Sequence, residues 1–250
     1  MKTNRIIFHV ATIFYFVALT SCKTNHLADI TTEFYSVEAE RSIAGDDEIE
    51  ALISPYRSQL ESEMNEVIGH VEKTLTKESP ESTMGNWYAD LCKVQTEKLA
   101  DEAVDFAVLN QGGMRIPSIA AGPITKGKIF EFMPFDNAMV MMELSGKEVK
   151  ALADHIARGG GWPVSKEFRF NIEDRKAKDV TIKGLVVDDN KKYKIATIDY
   201  LANGGSGAAM LKTIERKELG ILLRDLIISY IKDQDTPMTA QLDGRIKLLN

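Results

Sequence analysis

The stretch that most constrains this chain is Asn110-Gln111-Gly112-Gly113-Met114-Arg115, which follows the apolar run Val104-Asp105-Phe106-Ala107-Val108-Leu109. A short apolar run closed by a glycine pair reads as a buried strand that ends abruptly. Two adjacent glycines let the backbone turn sharply and approach a ligand closely, because no Cβ intervenes. Asn110 places a donor and an acceptor at the strand end. Arg115 adds a planar cationic fork that suits phosphate. The same six residues also suit a plain tight turn whose polar ends face water, so the rest of the chain has to separate the two.

The chain has 250 residues and a formal net charge of −6. That length allows one large domain or two small ones with a substantial core. The acidic balance argues against a nucleic-acid partner, which calls for a basic face. It leaves room for a small anionic ligand held by one or two local cations. At the N-terminus, Lys2 and Arg5 precede an apolar segment, Ile6 to Leu19, too short to span a bilayer comfortably. Leu19-Thr20-Ser21-Cys22 follows directly and resembles a bacterial lipobox. The expectation is a lipoprotein signal peptide over 1–22, lipidation of Cys22, and a polar tether over 23–47. The chain would then sit in the cell envelope, anchored to a membrane and facing the periplasm or the surface. With Cys22 lipidated, Cys92 has no partner for a disulfide and reads as a packed thiol.

From residue 48 to 250 the patterning alternates between helix and strand. Ile49, Leu52, Ile53, Tyr56, Leu60 and Met64 have helical spacing, with Pro55 placed early, and Val67–Val71 reads as a strand. His70 has no second ligand group nearby and reads as structural. Ser82 or Thr83 caps a helix with Trp87, Tyr88, Leu91, Cys92 and Leu99 on its apolar face, ending near Asp101-Glu102. Pro134 holds Met133 extended, so Phe135 either presents a ring face or joins the core. Ala138–Leu144 is a strand with core methionines, and Lys147–Arg158 is an amphipathic helix ended by three glycines, with Trp162 in the loop beyond. Strands follow at Phe168–Ile172, Val180–Ile182, Val186-Val187 and Tyr193–Ile198, with Asp188-Asp189-Asn190 as a hairpin turn. A second glycine-rich loop, Asp199 to Gly207, comes next, then a helix over Lys217–Lys232 and a closing strand at Ile246. These elements predict a single α+β domain with a mixed β-sheet and about four helices.

Two glycine-rich loops thus follow strands, and Phe135 and Tyr200 occupy loops of similar kind. If both rings face one cleft they clamp a flat ring, and base–aromatic stacking contributes about 1–3 kcal/mol per base. In their order, Glu81-Ser82 with Met84-Gly85-Asn86 and Ala89-Asp90, Asn110 to Arg115, Ile124-Thr125 through Pro134-Phe135 and Asn137, Leu144-Ser145-Gly146, Ala202-Asn203-Gly204-Gly205 and Asp243-Gly244-Arg245-Ile246 form a set. From about Ser54 onward the chain resembles the C-terminal, substrate-binding domain of 5′-nucleotidases and UDP-sugar hydrolases. The resemblance implies that Phe135 and Tyr200 sandwich a nucleobase, that Asn110 and Arg115 bind phosphate, and that Asn137 lies beside the base. Gly112, Gly113, Asn203, Gly205 and Ser206 complete the expected substrate-binding set. Two departures stand out: Ser206 occupies a position where family members often carry a ribose-binding Asp, and Lys77 and Glu78 stand where some carry a second phosphate-binding Arg.

The complete enzymes of that family also have a metallophosphoesterase domain whose metals activate water. Here the histidines are His9, His26, His70 and His155, and no Asp-x-His, Gly-Asn-His-Glu or Gly-His-x-His occurs. The stretch between the tether and Ser54 also lacks room for such a domain. The resemblance therefore implies a nucleotide-recognition domain of nucleotide catabolism with no catalytic residue, metal or cofactor of its own. It would bind a nucleotide or nucleoside for hydrolysis by a metallophosphoesterase protein that carries the divalent metals. A non-catalytic nucleoside- or nucleotide-binding lipoprotein for capture or sensing is the alternative.

Overall fold

A parallel pairing at the centre of the molecule explains the apolar run before Asn110. In the computed structural model, which describes residues 47–249, strand β3 (Phe106–Ala107) lies alongside β10 (Lys192–Ile198), with Phe106 opposite Ile195 and Ala107 opposite Ala196. The ladder is short, yet Val104 and Phe106 through Leu109 are all fully buried. Burial on both faces is what an unbroken apolar run encodes. On its other side β10 pairs antiparallel with β6 (Ala138–Ser145), and β6 pairs antiparallel with β11 (Arg216–Leu222), so the sheet order is β11-β6-β10-β3. Met139, Met141 and Met142 fill the core from β6, as their sequence context predicts.

A second four-stranded sheet has the order β12-β7-β8-β9, built from Ile246–Leu248, Phe168–Glu173, Lys176–Ile182 and Leu185–Val186. Phe168 of β7 stacks on Phe106 of β3 with ring centroids 4.2 Å apart, which joins the two sheets through one core. Two short antiparallel pairs, β1 (Val67–Val71) with β5 (Gly122–Thr125) and β2 (Leu75–Thr76) with β4 (Ser118–Ile119), complete the strands.

Among the described residues four helices have ten residues or more: α1 (Asp47–Met64), α2 (Thr83–Ala100), α4 (Gly146–Arg158) and α6 (Leu223–Lys232). Two shorter ones are α3 (Lys126–Phe132) and α5 (Asp199–Ala202). The local sequence accounts for their ends. Ser82 caps α2 by accepting the Gly85 N–H, and Asp101 closes it in the left-handed conformation. Ser145 and Glu148 form a reciprocal capping box at the start of α4. Glu81 reaches beyond α2 and accepts the N–H groups of Asp243 and Gly244. Buried Arg245 binds Asp90 and Asp243, whose hydrogen bonds outweigh burial and hold its guanidinium above its ordinary pKa. That network fastens the last strand to α2. The residues from Ala51 onward form one compact unit.

Several elements depart from the sequence expectation. The helix expected over Lys217–Lys232 is strand β11 followed by α6. Arg216, Lys217 and Glu218 pair with Met142, Met141 and Val140, and the ladder shifts before resuming at Leu222, around Gly220 with φ of 71°. The Asp188-Asp189-Asn190 turn does not close a hairpin, because β9 pairs with β8 while β10 lies in the other sheet. The tight hairpin turns are Asp174-Arg175 and Lys183-Gly184, each with two positive φ values. Pro55 lies inside α1 because that helix starts at Asp47, so Asp47 belongs to the helix and not to the tether. No residue of α1 is buried, and Leu99 at the end of α2 is exposed. Trp162 is buried edge-on against His155 instead of being displayed by its loop. The expected signal peptide over 1–22, Cys22 and the rest of the tether to residue 46 lie outside the described residues.

Candidate ligand-binding site

Three loops at one end of the central sheet converge on a cavity of about 280 Å³ lined by Asn110, Gly112, Gly113, Arg115, Phe135, Asn137, Tyr200 and Ser206. The first loop leaves β3. Asn110 is 7% exposed and stands before a single 3-10 turn, Gln111–Gly113, whose closing bond is Gly113 N–H to Asn110 C=O at 3.1 Å. Neither glycine has a positive φ. They are needed for proximity: a Cβ on Gly113 would meet Met133 Cε at 3.2 Å and Asn110 Oδ1 at 3.3 Å, and one on Gly112 would meet Asn110 Nδ2 at 3.4 Å. The carboxamide of Asn110 therefore lies against the glycine pair. The loop is pinned from outside by Lys77 Nζ donating to Met114 C=O at 2.7 Å and by Gln111 donating to Glu78 C=O. Arg115 N–H donates to Phe132 C=O at 2.9 Å, which ties the loop to α3.

The second loop runs from Met133 to Asn137, between α3 and β6. Phe135 is 39% exposed, and the Arg115 guanidinium carbon lies 5.7 Å from its ring centroid. Exposure on that scale for a phenylalanine beside a cavity is the presentation that the preceding proline leaves open. Asn137 Nδ2 donates to Asp199 Oδ1 at 3.1 Å, and the same oxygen accepts the Tyr200 N–H at 2.7 Å. Asp199 thus couples the second loop to the third.

The third begins at α5, so Tyr200 sits on a helical turn. The residue is 44% exposed, and its hydroxyl accepts the Ser206 N–H at 3.0 Å. Hydrogen bonding from Ser206 holds the phenol below its ordinary pKa. Ser206 has φ of 51°, a conformation uncommon outside glycine, and its carbonyl lies 2.9 Å from His155 Nε2. Gly205 leaves the space that the Tyr200 ring fills: a Cβ there would meet ring atoms at 2.5 Å.

Eight of the ten expected substrate-binding residues line one cavity. The other two are not part of the lining. Asn203 Oδ1 accepts from Arg216 Nη1 at 2.7 Å, and Gly205 packs against the Tyr200 ring. The expected set omits Asp199 and His155. Asp199 is legible in hindsight as the residue directly before Tyr200 at a strand end, whereas nothing local marks His155. Chemically the cavity offers two exposed aromatic faces, one cation and several neutral donors and acceptors, and its lining contains no carboxylate. Among the described residues no group of three or more His, Cys, Asp or Glu side chains is placed to hold a metal ion, and no helix is long and apolar enough to cross a membrane.

Two partly exposed rings and one guanidinium thus share a hollow at the end of the mixed sheet of an α+β domain. The family model for the 5′-nucleotidase C-terminal domain matches residues 67–213, which include all three loops, and the chain belongs to that family. Protein UshA of Escherichia coli (strain K12) is 32% identical over 174 residues, covering 66% of this chain and 30% of that protein. The apyrase of Anopheles gambiae is 27% identical over 232 residues, 82% of this chain and 38% of the apyrase. A 5′-nucleotidase precursor from Thermus thermophilus superposes with a TM-score of 0.69 at 30% identity, over 81% of this chain and 43% of that one. The chain spans under half the length of each of these relatives.

Proposed function

We propose that the cavity binds a nucleotide, with the base between Phe135 and Tyr200 and the phosphate at Arg115 and Asn110, and that it presents this substrate to a metallophosphoesterase. The observation that carries the proposal is the gathering of two exposed rings and one guanidinium around a single hollow, in a chain of the 5′-nucleotidase C-terminal domain family. Stacking tolerates any base, since every base has a π-face. The guanidinium selects for an anion attached to it. Divalent metals belong on the partner in this scheme. Its hydrolytic step would make the pair a 5′-nucleotidase of nucleotide catabolism. An envelope location follows the lipobox at Cys22, and a relative named cell wall protein Lmo0130 of Listeria monocytogenes, 27% identical over 233 residues, fits such a setting.

Calorimetric titration with AMP, adenosine and UDP-glucose tests the recognition step. Saturable heat with AMP, weaker binding of adenosine, and loss of both in Phe135→Ala and Tyr200→Ala are expected. No heat with any of the three would remove the proposal. Co-purification from the native membrane tests the partner, with a metal-bearing phosphoesterase as the expected companion.

A further inference from the structure

Phe135 owes little to its own burial. It is exposed over more than a third of its surface, and it sits in a loop between α3 and β6 that lies outside either sheet. What holds that loop is Arg224, the second residue of α6. Its Nη2 pairs with Asp136 Oδ1 at 2.6 Å, its Nη1 reaches Phe135 C=O at 3.5 Å, and its guanidinium carbon stands 4.3 Å from the Phe130 ring centroid on α3. One residue earlier, Leu223 N–H donates to Asn137 C=O at 2.8 Å. The start of a single helix therefore holds Phe135, Asp136 and Asn137 in succession, while the same guanidinium rests on the helix before the loop.

The Arg224 side chain is only 12% exposed, while its partner Asp136 is 76% exposed in its side chain. Arg224 Nε is buried without a hydrogen-bond partner. A buried donor left unpaired is costly and calls for a compensating role. The guanidinium has traded that bond for a position in which its fork meets the loop and its face meets Phe130. A flexible ammonium has neither the fork nor the face.

We propose that Arg224 is the positioning residue of the aromatic site: by clamping residues 135–137 it holds the Phe135 ring in the orientation that receives a flat ligand. Resting on the nucleotide-binding proposal, it adds a determinant of affinity that lies outside the cavity lining. A loop already ordered before binding does not lose that freedom when the ligand arrives. Releasing the clamp shifts that ordering onto the binding step.

The test is adenosine affinity in a double-mutant cycle. Arg224→Met keeps a long unbranched side chain but removes both the fork and the cation over Phe130, and it should weaken adenosine about three- to tenfold, the ordering cost of one side chain or loop segment. Asp136→Asn, at an exposed position that cannot disturb the core, should weaken it in the same direction by a smaller factor. In a Phe135→Ala background neither change should alter what binding is left, because the ring they position is gone. A second readout needs no ligand: amide exchange at Leu223 should speed up in Arg224→Met while exchange in β10 stays as it was. Wild-type affinity in Arg224→Met, or an equal loss with and without Phe135, would overturn the clamp while leaving the nucleotide site standing. If wild-type protein binds no adenosine and no AMP, both fall together, and the Leu223 exchange then reports only how the loop is held.

Discussion

Gly205→Ala perturbs the site without touching its lining, and its consequence follows from the coordinates. A Cβ at residue 205 would lie 2.5 Å from Tyr200 Cε1 and Cζ and 2.6 Å from Cδ1. Such contacts are about an ångström inside the usual carbon–carbon separation of roughly 3.5 Å, so the ring or the loop must move. Tyr200 is 44% exposed and is the freer of the two. Displacing it also stretches the Ser206 N–H bond to its hydroxyl. The expected loss is that of one stacked face, about 1–3 kcal/mol, which is a roughly 5- to 150-fold rise in Kd for AMP. Overpacking in cores costs about 1–3 kcal/mol of stability, and a half-exposed ring should place this change at the low end. Calorimetric titration of AMP and thermal unfolding of the same protein give both quantities. Adding the substitution to Tyr200→Ala should have little further effect, because the clash partner is missing. Wild-type AMP affinity in Gly205→Ala, or full additivity with Tyr200→Ala, would refute the reasoning.

Other consequences are independent of the ligand. Gly146→Ala drives a Cβ into the carbonyl oxygen of Asp188, where two backbones meet and neither side can swing away, so thermal unfolding should show destabilisation of more than about 3 kcal/mol. Arg245→Met leaves Asp90 and Asp243 without their shared cation, and urea unfolding should report a loss of about 1.5–3 kcal/mol, the scale of charge-assisted hydrogen bonds whose carboxylates still reach water. Glu102 is hydrogen-bonded first by Lys194 and then by Lys217, which lowers its carboxyl from 4.5 to about 2. Its folded-state value is depressed, so its contribution is full above the ordinary 4.5 and is lost as pH falls from there through about 2. Glu102→Gln should therefore flatten the stability–pH curve in that window and leave its neutral limb unchanged in slope. Burial raises the Cys92 thiol well above its usual range, and the side chain is fully covered. Alkylation by iodoacetamide should then follow unfolding, with no fast phase from this thiol in the native state.

What was legible in the sequence follows the strength of local signals. The Val104–Leu109 run, the capping residue Ser82 and the amphipathic α4 appear where their patterns place them; the capping box of Ser145 and Glu148 emerges only from the structure. Asn110, the glycine pair and Arg115 were legible from their place after a strand, whereas Phe135 stood open between display and core, and Asn137 and Ser206 entered only through the family resemblance. The strand Arg216–Leu222 was not. Leu219 and Leu222 fall at a helical interval with Leu223 and Leu226, and only the bulge at Gly220 breaks the continuity. Short α3 was missed because its seven residues are too few to establish a helical period, although Thr125 caps it. The Arg224 clamp lay beyond reach for a different reason. Residues 135 and 224 meet only through the tertiary fold, and no pattern in either segment announces the other.

The central claim is that two rings close on a base beside a guanidinium. Proton NMR of AMP titrated with the full chain tests it most directly, because ring currents act only on protons held over an aromatic face. The account predicts upfield movement of the adenine protons, intermolecular contacts from them to the ring protons of Phe135 and Tyr200, and loss of the movement in Phe135→Ala. Adenine protons that stay in place on binding, or that move just as far in Phe135→Ala and Tyr200→Ala as in the wild type, would contradict it.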